Sequence, residues 1–222
     1  VIIGLTQMVM NKVGKSNPIY NNLNNIFDAA ERAAKLTEQL LLFSRRQDMS
    51  LITINLNKTI HHLEKMLNRL IGEDITMKNN FAEDLKWIEA DEGQIEQVIT
   101  NLVVNARDAM PNGGELILST QNFTIDEQKA KSMPDIEPGE YVRLDVEDTG
   151  HGMDKSTMEK VFDPFFTTKG RAKGTGMGLS VVHGIIKKHN GFINVHSQPG
   201  DGTIFRIYLP AIDKGRPEEK ET

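Results

Sequence analysis

The sequence predicts an α+β protein in which a helical hairpin precedes a two-layer α/β sandwich. Residues 19–47 repeat apolar side chains every three or four positions without Gly or Pro, which is the pattern of an amphipathic helix. After residue 57, segments with that helical period alternate with segments that show the two-residue period of half-buried strands. The chain has 222 residues, enough for one full-sized domain and a smaller one.

The first fifty residues are expected to form an αα-hairpin. Residues 1–13 are helix-like, residues 14–18 form a turn that contains Gly and Pro, and residues 19–47 form a longer second arm. A long amphipathic helix leaves its apolar stripe in water unless it finds a partner. We therefore expect homodimerisation into a four-helix bundle. The chain begins with Val1 inside an apolar pattern, so we also expect a first arm shortened by truncation, with a naturally short arm as the alternative.

Residues 51–210 are expected to form the sandwich. The predicted helices cover residues 57–70, 92–110 and 178–189, and Asp91 is the expected N-cap of the second one. The predicted strands cover residues 74–81, 86–90, 115–125, 141–147, 191–197 and 202–209. Residues 126–139 are polar and contain Pro, so they predict a surface loop, and residues 211–222 predict a charged tail or linker.

The composition excludes several classes of protein. Apolar residues make up 38% and charged residues 26% of the chain, which is typical of globular rather than disordered proteins. The net charge of −5 argues against partners such as nucleic acid or an anionic membrane surface. There is no cysteine, which excludes disulfides, thiolate catalysis and Cys-ligated zinc. No apolar run approaches the ~20 residues of a membrane span.

A polar face on the predicted helix 92–110 is the first candidate site. Asn101, Asn105 and Asp108 are spaced four and three residues apart, so they share one face of that helix. Leu102 and Val103 lie elsewhere on the helix and can enter the core. Two amides and a carboxylate suit a hard cation that keeps several waters and bridges phosphates. Taken alone, an exposed polar face is the simpler interpretation.

Two glycine-containing segments are the next candidates. Residues 148–153 (DTGHGM) follow a strand, where glycines let the backbone approach a flat ligand closely. Asp148 can accept a hydrogen bond from an exocyclic amine such as that of adenine, although a plain Gly-rich turn is the alternative. Residues 174–180 (GTGMGLS) open a helix whose N-terminal N–H groups would face an anion. Three basic residues precede this helix: Lys169, Arg171 and Lys173.

The connection between these glycine segments contains residues 162–169 (FDPFFTTK), in which aromatic side chains surround a proline. The pattern favours an anchor for a mobile loop or a docking patch, and equally a small extension of the core. Other nucleotide-binding motifs are excluded. No Gly-x4-Gly-Lys-Ser/Thr occurs, so there is no P-loop. The glycines of residues 174–178 follow a basic polar loop rather than a strand, which excludes the dinucleotide-binding fingerprint.

In this order the four segments resemble the N, G1, F and G2 boxes of the histidine kinase ATP-binding domain, in the superfamily shared with gyrase, MutL and chaperone ATPases. The resemblance covers residues 1–210, because residues 40–47 (LLLFSRRQ) are similar to the end of the second helix in the family's dimerisation domain. It implies a sandwich with a mixed sheet. It also implies a cytoplasmic sensor histidine kinase, whether or not the parent protein is membrane-anchored.

The resemblance assigns roles to individual residues. Asn105 would hold Mg²⁺ with Asn101 nearby, and Asp148 would bind the adenine amine of ATP. Many family members carry a lysine where this chain has Asp108, so Lys169, Arg171 or Arg107 would have to neutralise phosphate charge. Residues 163–176 would form a lid over the phosphates. The implied catalytic set is Asn101, Asn105 and Lys169, and the further ATP contacts are Asp108, Gly150, Gly152, Met153, Gly174, Gly176, Gly178, Leu179 and Thr203.

The activity implied is transfer of the ATP γ-phosphoryl group to a histidine, for relay to an aspartate of a response-regulator receiver domain. The accepting histidine of the family lies on the first hairpin helix, and no histidine occurs in residues 1–50, so we expect no self-labelling of this chain. ATP-hydrolysing relatives place Glu one helical turn before the metal Asn. Here that position is Asn101, which cannot take a proton at neutral pH. Phosphotransfer is therefore favoured, with a hydrolase or a non-catalytic nucleotide-binding module as the alternatives. The six histidines are His61, His62, His151, His183, His189 and His196.

Overall fold

The computed structural model describes residues 2–14, 17–27, 29–30, 49–132, 136–169 and 175–212. The chain divides into two compact units, Val1–Asp48 and Met49–Thr222. Within the described residues, no helix is both long enough and apolar enough to cross a bilayer.

The first unit contains helix α1 (Ile2–Val13), as the sequence predicts. Gly14 ends this helix in the left-handed region, with φ of 75°, and its N–H donates to the Met10 carbonyl 3.1 Å away. The backbone becomes helical again over residues 20–27, after Asn17 Oδ1 has accepted a hydrogen bond from the Ile19 N–H. Most of the predicted second arm, residues 31–47, lies outside the described residues.

The second unit is a mixed sheet with helices. Its strands form one sheet in the order β1-β3-β7-β5-β4-β2, and β6 also pairs with β7. β2 and β4 run parallel, whereas the other pairs in the described part of the chain are antiparallel. This confirms the predicted mixed α/β class. The elements in chain order are β1 (Ile52–Ile54), α2 (Leu56–Ile71), β2 (Ile75–Phe81), β3 (Trp87–Ala90), α3 (Glu92–Ala109), β4 (Gly114–Ile125), α4 (Glu127–Ser132), β5 (Gly139–Asp148), α5 (Lys155–Met158), α6 (Gly178–Lys188), β6 (Phe192–Gln198) and β7 (Gly202–Ile212).

The core lies between one face of the sheet and the helices α2, α3 and α6. β5 shows the alternation that produces it: Val142, Leu144 and Val146 are buried, and the residues between them are only half-buried. The helices contribute buried side chains at the three- and four-residue spacing of an amphipathic helix. Their largest fully buried members are Leu56, Ile60, Leu67, Ile95, Ile99, Leu102 and Ile186.

Helix α3, which carries the polar face, is fixed at its beginning by two side chains. Asp91 is its N-cap, as predicted, and its carboxylate accepts from the Gln94 N–H at 3.1 Å. The Asp91 N–H in turn donates to Nε2 of His189, the residue that ends α6. Nδ1 of the same ring lies 2.8 Å from the Ile185 carbonyl oxygen. His189 is 5% exposed, so a buried imidazole ties the end of α6 to the start of α3.

The structure corrects three expectations about elements. Residues 126–139, predicted as a loop, contain α4, which Asp126 caps by accepting from the Lys129 N–H. β1 and α5 were not predicted, since three and four residues are too short to show a period. β7 extends past residue 209, so Ala211 and Ile212 belong to the sheet rather than to a tail, and they pair with β3.

Candidate active site

The polar face of α3 forms one wall of the candidate site. Asn101, Asn105 and Asp108 are all partly exposed. Leu102 and Val103 are 1% and 0% exposed and belong to the core. The expected division of this helix into a buried apolar side and an accessible polar side is therefore confirmed.

Asp108 is the centre of an ion cluster at this wall. Lys169 Nζ lies 2.7 Å from Asp108 Oδ2 and 3.4 Å from Asn105 Oδ1. Arg107 donates to the other carboxylate oxygen from Nε and Nη2, and its Nη1 donates to the Leu70 carbonyl. Burial opposes ionisation of Asp108, but hydrogen bonds and charges from Lys169 and Arg107 outweigh it and lower the pKa of the carboxyl. Asp108 is therefore an anion that orients Lys169 beside Asn105.

The N-terminus of α6 faces the same amides. A Cβ atom placed on Gly178, the first residue of α6, would lie 3.8 Å from Asn105 Nδ2 and 3.9 Å from Asn101 Oδ1. The residue before it, Met177, provides no side-chain cap for the helix. The first turn of α6 therefore lies beside the wall that α3 forms, and the N–H groups and positive dipole end of such a turn suit an anion nearby.

Asp148 marks the other end of the site, at the end of β5. Its carboxylate is 5% exposed, and Oδ1 accepts a hydrogen bond from the Gly150 N–H at 2.9 Å. Burial raises the pKa of this carboxyl to about 6, against the opposing effect of the Gly150 hydrogen bond. Thr203, also 5% exposed, pairs with Asp148 in the register of β5 and β7. These two polar side chains are buried together where β5 ends and β7 begins.

The loop after β5, residues 149–153, connects the two ends. The His151 N–H donates to the carbonyl of Ala109, the last residue of α3. A Cβ atom on Gly150 would lie 2.6 Å from that same oxygen, so only glycine allows the loop to lie this close. The end of β5, which carries Asp148, therefore lies close to the C-terminal end of α3. Met153 and Leu179 are partly buried and pack against the core beside it.

The segment expected to form a lid has its two ends together. Gly176, with φ of 66°, lies so close to Phe165 that a Cβ atom there would overlap the Phe165 backbone. Phe165 has a positive φ of 68° and is 60% exposed. By contrast, Phe162 packs against the core, with its ring 5.3 Å from that of His183. Arg171, Lys173 and Gly174 lie outside the described residues.

The structure brings most of the predicted site residues into two groups. Asp148, Gly150, Gly152, Met153 and Thr203 surround the end of β5, and Asn101, Asn105, Asp108, Lys169 and Gly178 surround the polar face of α3. Sequence reasoning missed Ser197, which binds Met153 and Gly202 by its hydroxyl. Arg107, considered there as a phosphate ligand, holds Asp108 and the Leu70 carbonyl instead.

The donor set at α3 fits a hard cation. Amide oxygens of Asn101 and Asn105 are the type of ligand that Mg²⁺ accepts, together with waters and phosphate oxygens. A positive group already lies near this position, because the Lys169 ammonium is 3.4 Å from Asn105 Oδ1. Asn105 Oδ1 is therefore already oriented toward a positive group, as an oxygen ligand of a cation would be.

Known proteins of similar sequence and structure are histidine kinases. The sensor kinase CckA of Brucella abortus is 44% identical over 95% of this chain, which spans 22% of that protein. A histidine kinase ThkA, solved in complex with the response regulator TrrA, matches with a TM-score of 0.65 and 25% identity, over 95% of this chain and 57% of that one. ShkA, solved with AMPPNP, shares the fold with a TM-score of 0.67 and 20% identity, over 95% and 42%.

A family model covers the part of the chain that contains the site. Residues 90–213 match the model described as histidine kinase-, DNA gyrase B-, and HSP90-like ATPase. The match takes in α3, the loop after β5, and the start of α6, and it covers more than half of the chain. The chain therefore belongs to the histidine kinase-, DNA gyrase B- and HSP90-like ATPases, and within that family it is similar throughout to sensor histidine kinases.

Proposed function

We propose that this chain is the ATP-binding and catalytic portion of a sensor histidine kinase, which transfers the ATP γ-phosphoryl group to a histidine for relay to a response-regulator aspartate. The similarity to CckA over 95% of the chain supports this function. A response regulator as partner is supported by the ThkA complex. In this proposal residues 1–50 are part of a dimerisation hairpin without the accepting histidine, and the ATP-binding domain runs from residue 51 to the end of β7.

Asp148 is proposed to recognise the base. It is a buried anion at a strand end, and it has one oxygen engaged with the Gly150 N–H. The exocyclic amine of adenine donates hydrogen bonds, and a carboxylate accepts them. Gly150, Gly152, Met153, Leu179 and Thr203 would line the base around it. The close approach of the loop that follows Asp148 to the end of α3, at the Ala109 carbonyl, is the observation that carries the proposal.

Asn105, with Asn101, is proposed to hold Mg²⁺, which would neutralise charge on the phosphate groups of ATP. Lys169, whose ammonium lies next to Asn105, would contact phosphate by exchanging its ion pair with Asp108 for one with a phosphate oxygen. The backbone that leads into α6, from Gly176 to Gly178, would donate N–H groups to phosphate oxygens, and Gly174 would contribute from the lid. Phosphoryl transfer depends mostly on such alignment and charge neutralisation, so Asn101, Asn105 and Lys169 are the proposed catalytic residues.

Transfer to a protein side chain is favoured over hydrolysis. The residue one helical turn before Asn105 is Asn101, an amide that cannot accept a proton from water at neutral pH. The proposed donor, ATP, is a cytoplasmic metabolite, so the proposal places this domain in the cytoplasm. Steady release of phosphate by the isolated chain would favour the hydrolase alternative.

Titration of the chain with ATP and Mg²⁺ tests the proposal. We expect saturable binding that Asp148→Ala weakens by about 10- to 100-fold, since a hydrogen bond to a charged group contributes about 1.5–3 kcal/mol. Asp84→Ala, which removes an exposed carboxylate between β2 and β3, is the matched control and should bind as the unaltered chain does. Absence of saturable binding, or equal binding by Asp148→Ala, would refute the function.

A further inference from the structure

Ser197, on β6, connects the two segments that enclose Asp148. Its Oγ accepts a hydrogen bond from the Met153 N–H at 2.8 Å and donates one to the Gly202 carbonyl oxygen at 2.7 Å. The same Oγ lies 3.0 Å from Thr203 Oγ1. One hydroxyl group therefore joins the loop after β5 to the turn that leads into β7.

The number of protons determines the direction of these hydrogen bonds. A serine hydroxyl has one proton and two acceptor lone pairs. Because the Ser197 proton goes to the Gly202 carbonyl, the contact with Thr203 is a hydrogen bond only if Thr203 is its donor. The Met153 N–H and the Thr203 O–H then occupy both lone pairs of Ser197. As a result, Thr203 retains lone pairs but no proton for any other partner.

Thr203 and Asp148 have the same hydrogen-bonding role toward a ligand: both accept. They are paired across β5 and β7, and both are 5% exposed. Asp148 has a pKa of about 6, so at pH 7.5 it is ionised and has no proton to donate. Both side chains therefore offer only acceptors where β5 ends and β7 begins. A purine with an amino group complements them, whereas a purine with a carbonyl oxygen at the same ring position leaves acceptor facing acceptor.

Backbone contacts hold the same two segments together, so the hydroxyl of Ser197 acts within a closely packed junction. The Gly200 N–H donates to the His151 carbonyl at 2.9 Å. Gly152, with φ of 65°, lies so near β6 that a Cβ atom would overlap the Gln198 carbonyl oxygen. A hydroxyl in such a junction has few ways to reorient, which preserves the directions of its hydrogen bonds.

We propose that Ser197 is a positioning and specificity-determining residue: it fixes the loop after β5 against β7 and takes the Thr203 proton, so that the base end of the pocket accepts an amino purine and rejects an oxo purine. The inference rests on the proposed function, since it concerns how the same site selects its nucleotide. Ser197 acts through Met153 and Thr203 and needs no contact with the nucleotide.

Dissociation constants for ATP, GTP and ADP, measured with Mg²⁺ at pH 7.5 on the full chain, test this role. For Ser197→Ala we expect ATP binding to weaken about 10-fold, the value of one hydrogen bond. The preference for ATP over GTP should fall by a similar factor. The ratio of ATP to ADP affinity should stay unchanged, because it reports on the phosphate end. Ser197→Thr, which keeps the hydroxyl, should restore both values, and Ser119→Ala on β4 is the matched control.

Two results would overturn the inference. One is an unchanged preference for ATP over GTP in Ser197→Ala. The other is a fall in the ratio of ATP to ADP affinity as large as the fall in the preference for ATP over GTP, which would indicate general loosening of the domain. If Ser197→Ala does not fold, Ser197→Cys provides the same comparison, because a thiol is a weaker donor and acceptor. Failure of the unaltered chain to bind any nucleotide would refute the proposed function, whereas normal ATP binding with unaltered selectivity in the variant refutes only the role of Ser197.

Discussion

At pH 7 the carboxylate of Asp148 is ionised although it is buried, because its pKa is about 6. The ordinary pKa of an aspartate is 3.8, so between about pH 4 and pH 6 the folded chain binds a proton that the unfolded chain has released. The free energy of unfolding therefore falls as the pH rises through this window, by about 3 kcal/mol in total. Above about pH 6 the loss of unfolding free energy caused by the buried Asp148 charge is constant. Asp148 thus lowers stability under the conditions where its charge is needed.

Asp148→Asn is expected to raise the free energy of unfolding at pH 8 by up to about 3 kcal/mol. The amide oxygen can still accept from the Gly150 N–H, and the buried charge is gone. At pH 4 the gain should largely disappear, because the native carboxyl is then protonated. Urea unfolding at both pH values measures the difference, with Asp84→Asn as the control for an exposed carboxylate. An equal gain at both pH values would contradict this explanation.

The sequence predicts single residues of the site better than the contacts between them. Residue type and spacing suffice to predict Asp148, Asn105 and Gly150, since a carboxylate after a strand or two amides on one helical face can be recognised in a short stretch of sequence. No such local pattern marks Ser197, because it binds the Met153 N–H across 44 positions of the chain. Its role follows only from the pairing of β6 with β7, which brings Ser197 opposite Thr203.

Among the elements, α3 depends on α6 for its position through His189. The imidazole is buried and uses both ring nitrogens, one toward the Ile185 carbonyl and one toward the Asp91 N–H. Its removal would leave a buried N–H unpaired at the N-cap of the helix that carries Asn101 and Asn105. An unsatisfied buried donor costs about 1–3 kcal/mol, and the cavity adds to this cost.

His189→Ala is therefore expected to lower the free energy of unfolding by about 2 kcal/mol or more. His62→Ala, on the exposed side of α2, is the matched control and should change it by less than about 0.5 kcal/mol. Chemical denaturation at pH 8 measures the free energy of unfolding of both variants. Similar losses for the two variants would show that the link between α6 and α3 carries no stability.

The helices and strands that were predicted correctly are those long enough for the hydrophobic period to repeat. α3 has 18 residues and a capping aspartate, and its predicted bounds differ from the observed ones by one residue. β1 and α5 have three and four residues, and a period cannot be recognised in so few positions. The end of β7 was missed for another reason: Ala211 and Ile212 are extended because β3 lies beside them, and sequence near residue 211 carries no sign of that neighbour.

On the scale of the whole molecule, the described part of the first unit exposes an unusual amount of apolar surface. Ile2, Leu5 and Met8 on α1 are 63%, 56% and 56% exposed, and Ile19 and Ile26 are about half exposed. We propose that a second copy of the chain covers this surface, as the periodicity of the first fifty residues predicts. Contiguous exposed apolar surface usually marks an interaction site.

The chain is expected to dimerise, and the double substitution Leu5→Glu with Met8→Glu is expected to shift it to monomer by burying charge in the interface. Multi-angle light scattering over a range of concentrations measures the mass. Gln7→Glu, also exposed on α1, adds charge beside the apolar residues and should leave the dimer largely intact. A monomer at high concentration for the unaltered chain would rule the dimer out. ATP binding should persist in every variant, because the site lies wholly within the second unit.

The ion pair between Lys169 and Asp108 affects how strongly dissolved salt changes the rate at which a nucleotide associates. Since the ammonium already has an anionic partner at 2.7 Å, an incoming polyphosphate exchanges one counterion for another instead of meeting an isolated positive charge. Long-range attraction is then weak, and dissolved salt has little of it to screen. Arg107 stays bound to the displaced carboxylate, which spares the arriving anion from its repulsion. The Lys169 ammonium should accordingly add less to the ionic-strength dependence of capture than an unpaired ammonium would.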